Sequence, residues 1–300
     1  MNSERSQSGD TRTGFFQALS AYLIWGALPI YLSLVNHVNL PEVLAHRVLW
    51  SVPLALLVLV VLGRTADLRR AMVTPRLLAM AGVTAILVSI NWGVYLYAIQ
   101  SGQVLSAALG YYINPLFSIF LAAVILREKL SRAQWLAVGL AAGAVALLTW
   151  EAGGRLPWIS VTLTVSWGFY ALAKRALPIG PNQGFTLEVL LLLPLALGYL
   201  GWLAGQGNLQ FGFTGWIDVV LLMGTGVATA VPLMLYANGA KGLRLTTIAL
   251  MQYITPSFIF LVALFVFEEA FEGARRSAFP IIWAALILYT GDLMARRARR

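Results

Sequence analysis

Charged side chains are scarce in this chain, so the ones that fall inside apolar runs are the first candidates for chemistry. The segment P-E-V-L-A-H-R-V-L-W-S at 41–51 holds three: Glu42, His46 and Arg47. Glu42 and His46 are four apart and share a helix face, which makes them a carboxylate–imidazole pair able to take up and release a proton. The same pair could equally be a structural cluster tying its helix to neighbours. Arg47 lies about six residues into the run, about 9 Å at about 1.5 Å per residue, too deep for a guanidinium to face lipid. It is expected to face the interior. Glu188 sits in another apolar run, where it could gate a pathway or pair with Lys174 or Arg175 across a short connection.

A second set of polar groups surrounds two prolines. Tyr111, Tyr112 and Asn114 flank Pro115, while Gln252, Tyr253 and Thr255 flank Pro256. A proline inside a helix removes a backbone hydrogen bond and frees a carbonyl that must then face protein or water. Such prolines either bend helices around a site or simply curve them. Hydroxyl, amide and aromatic groups together suit an amphipathic or aromatic small molecule better than an inorganic ion. Asn91 beside Trp92 adds an amide that needs a partner in an apolar run. The preferred substrate-binding set is therefore Arg47, Asn91, Trp92, Tyr112, Asn114 and Tyr253, with Glu42 and His46 as the possible proton-coupling pair. Tyr22, Trp25 and Pro29, echoed by Trp167 and Tyr170, read as a packing face. Asp292, four residues before Arg296, reads as half of a surface ion pair.

Catalytic patterns are thin. The chain has two histidines, His37 and His46, no cysteine, and no H-E-x-x-H, G-x-S-x-G or G-x-x-x-x-G-K-[ST] motif. No cofactor, metal or ATP-driven chemistry is expected, and disulfides are ruled out.

The elements that must position these groups follow from composition. The chain is 59% apolar and 11% charged, against about 45–50% and about 25% in soluble domains. That much apolar surface points to a polytopic membrane protein, since each crossing of a bilayer core needs about 20 mostly apolar residues. Ten crossings are expected, at approximately 14–35, 41–62, 75–98, 103–126, 132–150, 156–174, 183–204, 215–238, 244–267 and 277–295. A polar tail (1–13) and a basic tail (296–300) flank them, and no cleavable signal is evident. The net charge of +9 could suggest a nucleic-acid partner, but most Lys and Arg collect in connections on one side, such as Arg64, Arg69, Arg70, Arg127, Lys129 and Arg132. The positive-inside rule then places both termini in the cytoplasm. The expected partners are the bilayer and a small-molecule substrate, with no nucleic acid. Gly139 and Gly143 form a G-x-x-x-G that serves close helix packing or a possible homodimer.

The chain also repeats itself. A-L-G-Y-Y-I-N-P-L-F at 108–117 returns as A-L-M-Q-Y-I-T-P-S-F at 249–258. Pro53-Leu54-Ala55-Leu56 and Pro194-Leu195-Ala196-Leu197 share that offset of 141, and Trp25-Gly26 and Trp167-Gly168 nearly so. Ten crossings split into repeats at 14–150 and 156–295, and an odd number per repeat inverts the second copy. The loop charges agree: Arg127, Lys129 and Arg132 follow span 4, whereas Glu268, Glu269 and Glu272 follow its mate. Inverted halves that rock about a central site favour a secondary transporter.

These residues resemble a known family. Ten spans in two halves, W-G in the first helix of each, and a proline in the fourth helix ahead of Glu128 resemble the EamA-type drug/metabolite transporter superfamily. Within it, A-Y-L-I-W-G-A-L-P-I-Y at 21–31, the 41–51 segment, N-W at 91–92 and L-G-Y-Y-I-N-P-L at 109–116 are similar to the RarD subgroup, named for an association with chloramphenicol sensitivity. The resemblance spans essentially the whole chain. It implies a bacterial inner-membrane permease with a central cavity that exports small metabolites or drugs. The second half departs from the first, with Thr255 at the place of Asn114 and Glu188 at that of Arg47. The resulting expectation is an all-α secondary transporter of small amphipathic molecules working by alternating access. The alternatives are a membrane-embedded enzyme and a non-transporting scaffold.

Overall fold

A computed structural model describes residues 10–213 and 215–298. Most of the 1–13 tail therefore lies outside the described residues, as do Arg299, Arg300 and the Arg296 side chain that would meet Asp292. The described residues form helices and no strand. The helices are α1 (Arg12–Ser33), α2 (Leu40–Val61), α3 (Thr65–Met72), α4 (Pro75–Gln100), α5 (Val104–Ile125) and α6 (Arg132–Glu151) in the first half. In the second they are α7 (Trp158–Ala176), α8 (Pro181–Gly205), α9 (Trp216–Gly239), α10 (Leu245–Met251), α11 (Ile254–Phe265) and α12 (Arg275–Ala298), with a 3-10 turn at Ala240–Gly242.

Start signals in the sequence fix several of these ends. Pro41, Pro75 and Pro181 occupy the first turns of α2, α4 and α8, where a missing N–H costs nothing. Ser131 and Gln134 form a reciprocal capping box at α6. Among the described residues, nine helical segments are long and apolar enough to cross a membrane. The long helix outside that set is α7, whose Ser and Thr residues and terminal Lys174 and Arg175 dilute its apolar character. Outward faces are apolar as well, with Val61, Leu195 and Ile287 largely exposed, as a lipid-facing surface requires.

Two differences from the sequence reading stand out. The 63–74 connection contains α3, which buries Leu68 and Ala71 and leaves Arg69 and Arg70 exposed. The expected ninth crossing is divided into α10 and α11 by a break at Gln252–Tyr253, just before Pro256, which cannot donate back to Gln252. Its repeat mate α5 runs unbroken through Pro115.

The principal packing pairs are α1 with α9 and α11, α7 with α4 and α5, α2 with α8 and α9, α4 with α8, α5 with α11, and α6 with α12. Exchanging α1 with α7, α2 with α8, α4 with α9, α5 with α11, and α6 with α12 maps this set onto itself. Two glycines show why. A Cβ on Gly26 would stand 2.6 Å from Phe258, and one on Gly168 would stand 2.5 Å from Phe117. Gly26 and Gly168 are repeat mates, and so are Phe117 and Phe258, so each half seats its phenylalanine against the other half's W-G glycine. Gly139 and Gly143 have nothing within 4 Å of a Cβ position. They do not serve close packing inside the chain.

The helix ends repeat too. Arg127 and Glu268, 141 positions apart, take positive φ of 56° and 50°. Past each, an N–H returns six residues, from Glu128 to the Ala122 carbonyl at 3.1 Å and from Glu269 to that of Ala263 at 2.9 Å, a left-handed cap that closes the last turn. Beyond the cap the halves diverge. Glu269 accepts hydrogen bonds from the Val104 and Leu105 N–H groups and so clasps the start of α5, while Glu128 is exposed. Burial raises the Glu269 carboxyl above its ordinary range, opposed by those two backbone donors. At the end of the molecule where α1 begins, Asp10 accepts hydrogen bonds from the Arg244 backbone and guanidinium and from Thr247. The Arg244 hydrogen bonds hold the Asp10 carboxyl down at about 2.

Candidate functional site: a polar and aromatic cavity between the halves

The repeat prolines face a common space. Residues 111, 114 and 115 share one face of α5 and residues 252, 255, 256 and 259 share one face across α10 and α11, by the three- and four-residue spacing of a helix. Both faces line a cavity of about 190 Å³ whose other walls come from α1, α2, α4, α7 and α9. It lies where two apolar clusters meet: Leu28, Tyr95 and Ile259 belong to one, and Val88, Trp92 and Tyr170 to the other.

Arg47 is 2% exposed. Its Nε donates to Thr229 Oγ1 at 3.0 Å, and its guanidinium lies over the Trp92 ring, 4.9 Å from the centroid. The hydroxyl of Thr229 is itself oriented by donation to the Thr225 carbonyl. Arg47 Nη1, Tyr95 Oη and Asn114 Oδ1 are buried without a protein partner. Asn91 differs. Its Nδ2 donates to the Leu163 carbonyl at 3.1 Å and to Ser166 Oγ at 3.0 Å, and its Oδ1 accepts from Tyr111 Oη at 3.2 Å. It braces α4 against α7 and α5 and has little capacity left for a ligand. Tyr22, Trp25 and Tyr236 form an aromatic cluster on the wall nearer the chain start, with centroids 5.7–5.8 Å apart. Thr255 Oγ1 donates to the Tyr22 carbonyl at 2.9 Å.

Of the residues expected at the site, Arg47, Asn91, Trp92 and Asn114 line the cavity together. Tyr112 and Tyr253 do not. Tyr112 is hydrogen-bonded to Ser257 at 2.7 Å and packs edge-on to Phe279 and Trp283, and Tyr253 approaches Thr290. Adjacent helical residues diverge by about 100°, and here Tyr111 lines the cavity while Tyr112 turns toward Ser257, Phe279 and Trp283.

Glu42 and His46 are buried but outside the cavity. Glu42 Oε1 accepts from the Gln210 and Phe211 N–H groups at 2.9 and 3.0 Å. His46 Nε2 lies 3.9 Å from that oxygen, Nδ1 accepts from Trp50 at 3.2 Å, and the ring stacks on Phe211 at 4.6 Å. Glu42 Oε2 and His46 Nε2 have no hydrogen-bond partner.

Sequence reasoning missed several wall residues. Tyr22, Trp25, Trp167 and Tyr170 were expected to pack, yet they line the cavity, as do Tyr95, Thr229 and Tyr236. Thr229 and its 141-residue mate Val88 both line the cavity. Glu188 takes the pairing alternative, accepting from Lys174 Nζ at 2.6 Å, with Tyr170 Oη at 3.3 Å. Tyr170 thereby connects that buried ion pair to the cavity.

A larger cleft, about 640 Å³, opens between the α6–α7 and α11–α12 connections and carries Glu151, Arg155, Glu272 and Arg275. It lies beside connections of mixed charge and is lined by neither repeat proline. The smaller central cavity, with its unpartnered buried atoms, is the better candidate.

Comparison with known proteins places this geometry in context. A family model described as the EamA-like transporter family matches residues 12–150. Protein RarD of Streptomyces exfoliatus is 38% identical over 292 residues, 97% of this chain and 92% of that protein. An uncharacterized transporter of Vibrio cholerae is 38% identical over 296 residues, 97% of both chains. Protein RarD of Escherichia coli K12 is 35% identical over 289 residues, 96% of this chain and 97% of that one. A crystal structure with 18% identity overlays at a TM-score of 0.57, covering 96% of this chain and 99% of the other, a likeness of fold alone.

Proposed function

This chain belongs to the EamA-like transporter family and to its RarD group, and on that premise we propose that it moves small amphipathic organic molecules across the bacterial inner membrane by alternating access. The family and its transporter-named relatives make it a multi-pass membrane transporter; mechanism, substrate and direction are the proposal. Export is the proposed direction, on the resemblance to drug and metabolite permeases.

The observation that carries the reading is the central cavity, built from the matched faces around Pro115 and Pro256. Two five-helix repeats in inverted orientation, with α10 and α11 forming one crossing and both termini cytoplasmic, account for the exchange-symmetric packing and for the charges of the connections. Inverted halves have two equivalent arrangements, and rocking between them opens the cavity to either side. An unequal arrangement supports this: Glu269 holds α5 at one end, while its mate Glu128 is exposed. This is what one member of a pair of exchanging states would show.

The test is a distance measurement. Because the chain has no cysteine, spin labels can be placed at Ser101→Cys in the first half and Gln206→Cys in the second, both exposed. Two interconverting distance populations in lipid nanodiscs are expected. One fixed distance in detergent and in bilayers contradicts alternating access.

A further inference from the structure

We infer that the central cavity selects a single-ring-sized organic monoanion, such as an aromatic carboxylate, and holds its charge at Arg47. The inference rests on the transport reading of the same cavity and names its substrate class.

Charge decides the sign. Among the described residues, Arg47 is the charged side chain on the cavity wall, and no Asp or Glu joins it there. It makes no ion pair with any described carboxylate, and its Nη1 is buried without a partner. A guanidinium removed from water needs a counter-charge and hydrogen-bond acceptors. The protein supplies one acceptor, Thr229 Oγ1, and one aromatic face, Trp92. The terminal N–H groups, which no described residue accepts from, are left for a ligand oxygen, and charge-assisted hydrogen bonds of guanidinium to carboxylate are among the strongest available. Tyr95, also a lining residue, adds an unpartnered hydroxyl. An organic cation would meet Arg47 without any compensating carboxylate. A zwitterion would find nowhere to place its ammonium group except neutral acceptors such as Asn114 Oδ1.

Volume and wall chemistry decide the rest. About 190 Å³ is little more than the ~150 Å³ apolar cavity that takes a benzene ring, and it is below the ~300–1,000 Å³ of drug-sized sites. Trp25, Trp92, Tyr111, Trp167 and Tyr236 line it, an aromatic wall suited to a flat apolar body.

Equilibrium dialysis of the purified full chain in nanodiscs against labelled benzoate, benzamide and benzylamine tests this, since the three probes share a ring and differ in charge. Benzoate should bind about ten-fold or more tightly than either of the others, the size of one charge-assisted contact. Arg47→Met should bring the benzoate-to-benzamide ratio to about one, while Arg47→Lys should keep a preference for the anion. If Arg47→Met does not fold, the wild-type ratios and Arg47→Lys decide. Equal or tighter binding of benzamide or benzylamine overturns the anion assignment and leaves the transport reading standing. Binding of no probe overturns the substrate class, and the spin-label distances then judge transport separately.

Discussion

At the scale of single residues, the account turns on which polar atoms the protein already uses. Asn91 and Arg47 both line the cavity, but Asn91 spends its amide on Leu163, Ser166 and Tyr111, while Arg47 keeps a donor unspent. Sequence could name both and could not separate them, because hydrogen-bond satisfaction depends on partners 72 and 75 residues away. The same holds for Tyr111 and Tyr112, which differ by one helical step and end in opposite environments. The Glu42–His46 pair carries the proposal for proton coupling. The two groups are buried, 3.9 Å apart, and each keeps an unpartnered atom, while Glu42 also holds the 206–215 connection through two backbone donors. In voltage-clamped proteoliposomes with an internal pH dye, a gradient of benzenesulfonate, an anion that does not cross lipid unaided, should drive proton movement. Glu42→Gln with His46→Gln should abolish that movement. Proton flux unchanged by both replacements removes the pair from coupling.

At the scale of elements, the two W-G dipeptides receive a physical explanation. Gly26 and Gly168 leave room for Phe258 and Phe117, so α1 meets α11 and α7 meets α5 in the same way. Gly26→Val and Gly168→Val should each destabilise the fold by about 1–3 kcal/mol through overpacking. Phe258→Ala should relieve the first and Phe117→Ala the second, a coupling readable from double-mutant cycles of thermal unfolding in detergent. Gly139→Val, facing open space, should be neutral in the same assay, and a cost there equal to that at Gly26 would contradict the packing assignment. Much of this level was legible in the sequence. Apolar length gave the long helices, and the 141-residue offset gave the paired prolines. Less legible were α3, whose eight residues carry too few apolar positions to stand out, and the α10–α11 break, because Pro115 at the matching place leaves α5 continuous. An identical residue in two halves can end a helix in one and be absorbed in the other, since neighbours decide whether the freed carbonyl is tolerated.

At the scale of the whole molecule, the repeat builds one cavity from two chemically unequal walls. Tyr111 has Gln252 as its counterpart and Asn114 has Thr255, all four on the cavity wall, while Arg47 has Glu188 for a mate that is committed to Lys174 outside the cavity. The proposed transport assigns the motion to the symmetry and the recognition to the asymmetry. The clasp at Glu269, with its mate Glu128 exposed, extends that inequality to the helix ends. The most direct test of the central claim uses the natural absence of cysteine. Ala228, on the cavity wall beside Thr229, is changed to Cys and exposed to a membrane-impermeant maleimide in right-side-out and in inside-out vesicles. Labelling from both sides, slowed from either by saturating benzenesulfonate, is the result expected of a cavity that opens alternately. Labelling from one side alone, whatever the ligand or pH, would contradict it.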